Sequence, residues 1–299
     1  MADGTVKPRS RLKAVEPDNV EPKKPKVVVV GKPGVGKTWE SLNFPKVYYM
    51  DHESGADLDH YRAKLKASGG VYFGQEQGSL DIDEVIEQVK ALATEKHDYR
   101  TLVSDSVSKL WNTMLQDEQT KLGDKDVFGA SKKAPTRKFN ELLRWINKLD
   151  MNVILIAHSK PEWGKDEKGN REEIGETFDG PDKLGYELHL ILTVVKNGPT
   201  RRAKIGKSRL TGFPEGTVFP WSYEEFAARY GKDVIEREAT QLVLASPEQI
   251  SEVKRLLDIV KVADDWQEKV FKKADIEDWS EIDAEKIVAI IESLKGKIK

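Results

Sequence analysis

A glycine-rich segment, residues 31–38, has the residue types and spacing of a phosphate-binding loop. Gly31 and Gly36 are separated by four residues and are followed by Lys37 and the hydroxyl residue Thr38. Glycines let backbone N–H groups surround a phosphate, and a lysine and a hydroxyl at these positions reach the β/γ-phosphates and Mg²⁺. The pattern predicts a site for a nucleoside triphosphate, and the alternative is a strand-to-helix turn without a ligand. The expected contact residues are Gly31, Pro33, Gly34, Val35, Gly36, Lys37, Thr38 and Trp39.

Two acidic residues at strand ends are candidates to orient the metal and the attacking water. Asp105 ends the predicted strand 101–104, where its carboxylate would act with Thr38 on Mg²⁺. The alternative role for Asp105 is the N-cap of the next helix. Glu53 follows the predicted strand 46–50 and would face the γ-phosphate if that strand neighbours the one before the loop. It could then deprotonate or orient water, or it could be one of two acidic turn residues with Asp51.

The elements that must position these residues alternate between apolar strands and helical segments from residue 27 to about 221. This alternation predicts an α/β domain, residues 26–238, with a mostly parallel sheet flanked by helices. Residues 159–185 are predicted to form a long polar loop. The predicted strands are 26–30, 46–50, 101–104 and 152–157, with a hairpin of 188–196 and 201–205, and the predicted helices begin after Lys37 and cover 81–95, 107–121 and 136–149.

The two ends of the chain differ from this core. Residues 1–25 carry few large apolar side chains, which predicts a disordered tail. Ser246 and Gln249 form a capping-box pattern before apolar residues at helical spacing, so residues 246–299 are predicted to form a small helical domain. The chain has no cysteine, which excludes disulfides and thiolate metal sites. It also has no apolar run long enough to span a bilayer and no secretory signal, so we expect a cytoplasmic protein without a membrane partner.

Two segments after the predicted strands resemble motifs of RecA-type recombinases. Residues 103–107, Val-Ser-Asp-Ser-Val, resemble the Asp-Ser-Val segment that ends the second acidic strand of that family. Residues 50–53, Met-Asp-His-Glu, resemble the family's Ile-Asp-Ala-Glu, whose Glu is the catalytic base. The resemblance covers about residues 26–215 and is strongest to short phage RecA-like ATPases linked to single-strand annealing. It implies a RecA-like P-loop NTPase core and a location in the host cytoplasm if the protein is phage-encoded.

The same resemblance implies further site residues. Tyr61 begins the segment Tyr-Arg-Ala-Lys-Leu, which resembles the family's Tyr-x-x-Lys-Leu, in which the tyrosine stacks on adenine. The register here is one residue longer, so His60 or Asp57 is the alternative. Lys207 and Arg209 resemble the Lys-x-Lys pair that enters a neighbouring subunit's ATP site; the alternative is an exposed basic strand end. His158 stands where the family has a glutamine that senses the γ-phosphate; the alternative is a strand-end residue without that role.

Two DNA-facing segments follow from the resemblance, residues 121–137 and 159–183. Both contain basic residues with an aromatic residue nearby, Phe128 and Trp163, a composition typical of single-strand binding. Acidic residues dilute the second segment, so a mixed-charge surface loop is the alternative there. The net charge of the chain is only −2, so any nucleic-acid surface would be a local patch.

The resemblance as a whole predicts a Mg²⁺-dependent ATPase that binds single-stranded DNA and promotes homologous recombination or annealing. It implies a homo-oligomer, ring or filament, with ATP at subunit interfaces, and a single-strand-binding protein as a candidate loading partner. The alternatives are a RecA-core helicase or translocase motor and a nucleotide-gated scaffold with little hydrolysis. A P-loop kinase is a more distant one, since no lid arginines can be identified.

Overall fold

The computed structural model of the protein describes residues 14, 16, 22–55, 58–165 and 169–298. Within these residues a central nine-stranded sheet has the order β3-β2-β4-β5-β1-β7-β8-β9, and β6 pairs with an extension of β5. The strands are β1 Lys26–Gly31, β2 Val47–Asp51, β3 Val71–Phe73, β4 Thr101–Asp105, β5 Asn152–Lys165, β6 Arg171–Phe178, β7 Leu190–Asn197, β8 Thr200–Ser208 and β9 Val218–Pro220.

Helices cover both faces of the sheet and form the C-terminal part of the chain. They are α1 Lys37–Ser41, α2 Asp59–Ala67, α3 Ile82–Thr94, α4 Val107–Leu122, α5 Lys133–Lys148, α6 Lys183–Glu187, α7 Tyr223–Tyr230, α8 Lys232–Glu236, α9 Pro247–Ile259, α10 Trp266–Ala274 and α11 Ala284–Lys295. The described residues include no helix that is both long and apolar enough to cross a membrane.

Burial on both faces explains why β1 is a continuous apolar run. Val28 and Val30 pack in the core that α3, α4 and α5 cover, whereas Val27 and Val29 pack in the core on the other face, with Phe226 of α7. Strand β1 runs parallel to both β5 and β7. Strands with helices on both faces need apolar residues at every position, not at alternate ones. The predicted α/β class with a mostly parallel sheet is confirmed.

The sheet differs from the sequence-based expectations in two details. The condition set for Glu53, that β2 neighbours β1, is not met, because β4 and β5 lie between them. Residues 159–185 are not a continuous loop: β5 continues past the main sheet to Lys165 and pairs antiparallel with β6, and α6 follows. In addition, the helix predicted over residues 136–149 begins at Lys133, which shortens the connection from α4.

The two terminal parts of the chain differ in how they contact the α/β core. Of the predicted tail, most residues lie outside the described part, but Lys24 and Pro25 are buried and Pro25 accepts a hydrogen bond from Val153 of β5. At the other end, Ser246 and Gln249 form the expected capping box at the start of α9. Helices α9, α10 and α11 enclose a hydrophobic cluster of their own, centred on Val253, Leu256 and Trp279. Arg144 of α5 binds Glu277 and Glu281 and so joins this bundle to the core.

Candidate nucleotide-binding site

The loop between β1 and α1 has the backbone of a phosphate-binding loop. Gly34 and Gly36 have φ values of 76° and 93°, in the left-handed region that favours glycine. Lys37 is 8% exposed, and its ammonium donates hydrogen bonds to the carbonyl oxygens of Gly31 (2.7 Å) and Lys32 (3.0 Å). Burial lowers the pKa of Lys37, and the nearby carboxylates of Asp105 and Glu53 oppose that shift. The lysine is therefore held inside the curve of the loop, facing two acids.

Asp105, the last residue of β4, contacts the loop directly. The Thr38 hydroxyl donates to Asp105 Oδ2 at 2.5 Å, and the buried Tyr49 hydroxyl of β2 donates to the same oxygen at 3.0 Å. Burial raises the pKa of Asp105 to about 6, although these two hydrogen bonds oppose the shift. The alternative N-cap role is wrong, because Ser106 is the N-cap of α4 and its hydroxyl accepts from Lys109 N.

The Thr38 and Asp105 oxygens fit Mg²⁺ by their chemistry. Magnesium takes oxygen ligands and is usually bound by one or two protein groups together with substrate phosphates. A hydroxyl and a carboxylate already 2.5 Å apart at the start of α1 supply the two protein oxygens of such a set. Once bound, the ion would neutralise charge on the phosphates.

Glu53 reaches the same place although two strands, β4 and β5, separate β2 from β1. The segment after β2 lies against β4, since His52 N donates to the Asp105 carbonyl at 2.6 Å. Within the segment, the Asp51 carboxylate accepts hydrogen bonds from the backbone N–H groups of Glu53 (3.1 Å) and Gly55 (3.3 Å). The Glu53 carboxylate then accepts a hydrogen bond from the Ser106 hydroxyl, and the imidazole Nε2 of His158 lies 2.7 Å from it. Asp51 therefore shapes the turn, and Glu53 points into the site.

His158 lies where β5 passes from the main sheet into the hairpin with β6. Its backbone is in register with Gly31, the first residue of the loop, and the next residue, Ser159, pairs with Phe178 of β6. A second link is the ion pair between Lys32 of the loop and Glu176 of β6, at 3.0 Å. The site is thus connected to the hairpin by one side chain on each strand.

The remaining predicted residues divide into two groups. Trp39 and Tyr61 line a cavity of about 170 Å³ beside the loop with their rings 5.7 Å apart, Val35 packs on the core, and Pro33 is exposed. Lys207 and Arg209 do not join the site. They lie at the opposite edge of the sheet, where β8 pairs with the start of β7, and they donate to the carbonyls of Leu188 and Tyr186.

Arg201, at the start of β8, lines the cavity beside the loop and was not predicted. No local pattern marks it, since it is one of two consecutive arginines after a turn. Its position follows only from the sheet order: β7 runs beside and parallel to β1 towards the loop, so the turn after β7 places the start of β8 at the loop.

The two predicted DNA-facing segments meet in one cleft. Lys132, before α5, Lys160, on the hairpin, and Lys183, on α6, line a cavity of about 360 Å³. Asp179 and Asp182 also line it, and Asp179 lies 3.4 Å from Lys160, so the charge there is mixed. Phe128 is fully exposed in the first segment. On the hairpin, Trp163 is half exposed and stacks with the Arg171 guanidinium, 4.3 Å from its ring centre.

Two solved structures resemble this fold, each with low sequence identity. The crystal structure of the RadB recombinase matches with a TM-score of 0.41 and 17% identity, over 68% of this chain and 90% of that one. A prototypical ATPase from the type III secretion system of pathogenic bacteria matches with a TM-score of 0.40 and 13% identity, over 93% of this chain and 75% of that one.

No curated protein matches the sequence. The family model AAA_24, described as an AAA domain, matches residues 23–217, which include the loop, Glu53, Asp105 and His158. The match covers well over half of the 299 residues. The chain therefore belongs to this AAA domain family of P-loop ATPases.

Proposed function

We propose that this protein is a Mg²⁺-dependent, RecA-type ATPase that binds single-stranded DNA and promotes homologous recombination or single-strand annealing. The observation that carries the proposal is the convergence of Lys37, Thr38, Asp105, Glu53 and His158 at one edge of the sheet. These groups come from four separate strand ends and meet where a triphosphate would lie.

Each group has a role that follows from its contacts. Lys37 would exchange its bonds to the loop carbonyls for bonds to phosphate oxygens, and Thr38 with Asp105 would hold and orient the ion. Glu53 would accept a proton from the attacking water or orient it. Its hydrogen bond from Ser106 fixes the carboxylate, so the base is already positioned before a substrate enters.

His158 would report the state of the nucleotide to the hairpin. It contacts Glu53 at the site, and its backbone carbonyl accepts from Asp179 N at 2.7 Å just after β6. Ser108 of α4 strengthens this junction, because its hydroxyl accepts from His158 N and donates to the Asp179 carbonyl. A change in the His158–Glu53 contact would therefore act on the junction where the hairpin of β5 and β6 joins the main sheet.

Single-stranded DNA is the partner that the surface beyond the hairpin base supports. Lys132, Lys160 and Lys183 could follow a phosphate backbone through the shared cleft, and the exposed Phe128 and Trp163 could stack on bases. Because Asp179 and Asp182 reduce the positive charge of the cleft, binding should be weak without nucleotide and should weaken further with salt.

The position of Lys207 and Arg209 favours assembly. Both lie at the edge of the sheet opposite to the loop and cannot reach the site of their own chain. We propose that they complete the ATP site of a neighbouring copy in a ring or filament. A cation supplied in this way can raise the rate by about 10³- to 10⁵-fold.

ATP turnover with and without single-stranded DNA, over a range of protein concentrations, tests the proposal. We expect turnover per subunit to rise with protein concentration and to be stimulated by single-stranded DNA. Turnover that is indifferent to DNA would contradict the recombination role. Directional unwinding of a forked duplex would instead favour a helicase.

A further inference from the structure

The cavity beside the phosphate loop contains a cation with no role in the site described above. It is lined by Trp39, Tyr61 and Arg201 together with the loop, and Glu53, Asp105 and His158 do not line it. We propose that Arg201 binds the nucleotide of its own chain, at the α-phosphate and sugar end and not at the γ-phosphate. This inference rests on the proposed function, since it assumes that the loop binds a nucleoside triphosphate.

Arg201 lies directly against the loop. A Cβ atom added at Gly36 would lie 2.1 Å from Arg201 Nε and 2.5 Å from its Cδ, so in this conformation the arginine side chain packs directly over Gly36. The hairpin of β7 and β8 brings it there, with Arg201 paired to Lys196 at the end of β8 that lies nearest the loop. The guanidinium is therefore adjacent to the backbone that would surround the phosphates.

The local partners of Arg201 leave most of its donors available. Glu40, on α1, is 3.8 Å from a terminal nitrogen of the guanidinium, and its other oxygen already accepts from Asn43 at 2.8 Å. Arg201 Nε is buried and has no hydrogen-bond partner among the described residues. A guanidinium has five donors and binds phosphate with two parallel hydrogen bonds. A phosphate oxygen in the cavity would satisfy donors that the protein does not.

The aromatic residues indicate which end of the nucleotide the cavity receives. Trp39 and Tyr61 provide flat apolar surfaces typical of a base or sugar contact, and the ammonium of Lys64 packs on the Trp39 ring 4.0 Å from its centre. Neither Glu53 nor Asp105, the acids expected near the γ-phosphate and its metal ion, lines this cavity. Arg201 would thus contact a part of the nucleotide that ATP and ADP share.

The test compares R201A with R202A by calorimetric titration with ATP and with ADP. Arg202 is the matched control, because it has the same charge, is exposed, and points to the opposite side of β8. We expect R201A to weaken binding of both nucleotides equally, by about 10-fold or more, as for a lost hydrogen bond to a charged group. The R202A variant should bind both within about twofold of the wild type.

Three results would overturn the inference. One is unchanged binding by R201A, and another is a loss confined to ATP, which would place Arg201 at the γ-phosphate. The third is a wild-type protein that binds neither ATP nor ADP. This result would also refute the proposed function, and it differs from the first two because it appears in the wild type and not only in the variant. R201K is a control for misfolding, because lysine keeps the positive charge but lacks the two parallel N–H donors of the guanidinium. We expect its nucleotide affinity to lie between that of R201A and that of the wild type, and its circular dichroism spectrum to be unchanged.

Discussion

Two lysines, Lys26 and Lys37, are buried at opposite ends of the same strand, and they differ in what surrounds them. Lys26 begins β1, is 4% exposed, and donates to the carbonyl of Leu149 at the end of α5. Lys37 follows β1, is 8% exposed, and donates to carbonyls of the loop that contains it. Burial lowers the pKa of both, that of Lys26 to about 7.

The contrast shows that burial of a charged group does not by itself indicate function. Lys26 joins a helix end to a strand, and Asp150 is the acidic residue whose charge favours its protonated form. Lys37 lies near the carboxylates of Asp105 and Glu53, on a loop whose glycines adopt left-handed backbone conformations. Changes around Lys37 should therefore affect turnover, and changes at Lys26 should affect stability.

The largest effect should come from Glu53. We expect E53Q to lower kcat for ATP by about 10²- to 10⁴-fold, because glutamine cannot accept the proton of water. Nucleotide affinity should change little, since the amide can still accept from Ser106. Steady-state turnover and equilibrium binding measure the two effects. An E53Q variant that turns over ATP like the wild type would identify a scaffold or a different base.

The direct comparison of the two lysines comes next. K37M should lower turnover by about 10²- to 10³-fold through loss of phosphate stabilisation. K26M, the same change at the other edge, should keep turnover within about twofold at neutral pH. Parallel rate measurements on the two purified variants would decide this. Similar losses in both would mean that the two edges do not differ in function.

For stability, Lys26 should matter more than Lys37, and the effect should appear in the pH dependence of the free energy of unfolding. The Lys26 pKa is about 7 in the folded protein, against the ordinary lysine value of 10.5, so above pH 7 the unfolded chain binds one more proton. The wild-type free energy of unfolding should thus gain about 1.4 kcal/mol per pH unit from Lys26 between about pH 7 and 10. K26M should lack this gain, whereas K23M, at an exposed lysine, should retain it. Urea unfolding over this range measures the slopes, and equal slopes in K26M and wild type would contradict the assignment.

A smaller effect is expected at the hairpin junction. H158A should retain most basal turnover but lose about 5-fold or more of the coupling between ATP and single-stranded DNA affinity. H158Q, which keeps a hydrogen-bonding side chain, should lose less. DNA affinity measured with and without an ATP analogue gives the coupling in each variant. Coupling unchanged in H158A would remove His158 from the proposed route.

The smallest effect concerns the ion pair between Lys32 and Glu176. The Lys32 side chain is largely exposed and that of Glu176 partly exposed, so E176Q should change the free energy of unfolding by less than about 1 kcal/mol. Thermal unfolding measures this. A larger loss would show that the pair stabilises the hairpin against the loop more than exposed ion pairs normally do.

The sequence predicts those site residues that belong to a short motif with one known chemistry. It does not predict contacts between segments that are distant along the chain. The loop residues and Asp105 follow from short patterns, and the contact between Thr38 and Asp105 agrees with them. The role of Glu53 was conditional on β2 neighbouring β1, and sequence does not show that β4 and β5 lie between these strands. The hairpin of β5 and β6 was missed because both its faces are polar, which removes the alternation that identifies a strand.

The most direct test of the central claim is the structure of the protein with Mg²⁺ and a non-hydrolysable ATP analogue. We predict the triphosphate within residues 31–38, the ion at Thr38 and Asp105, and the Glu53 carboxylate facing the γ-phosphate. A nucleotide bound elsewhere, or a Glu53 side chain turned away from it, would contradict the account.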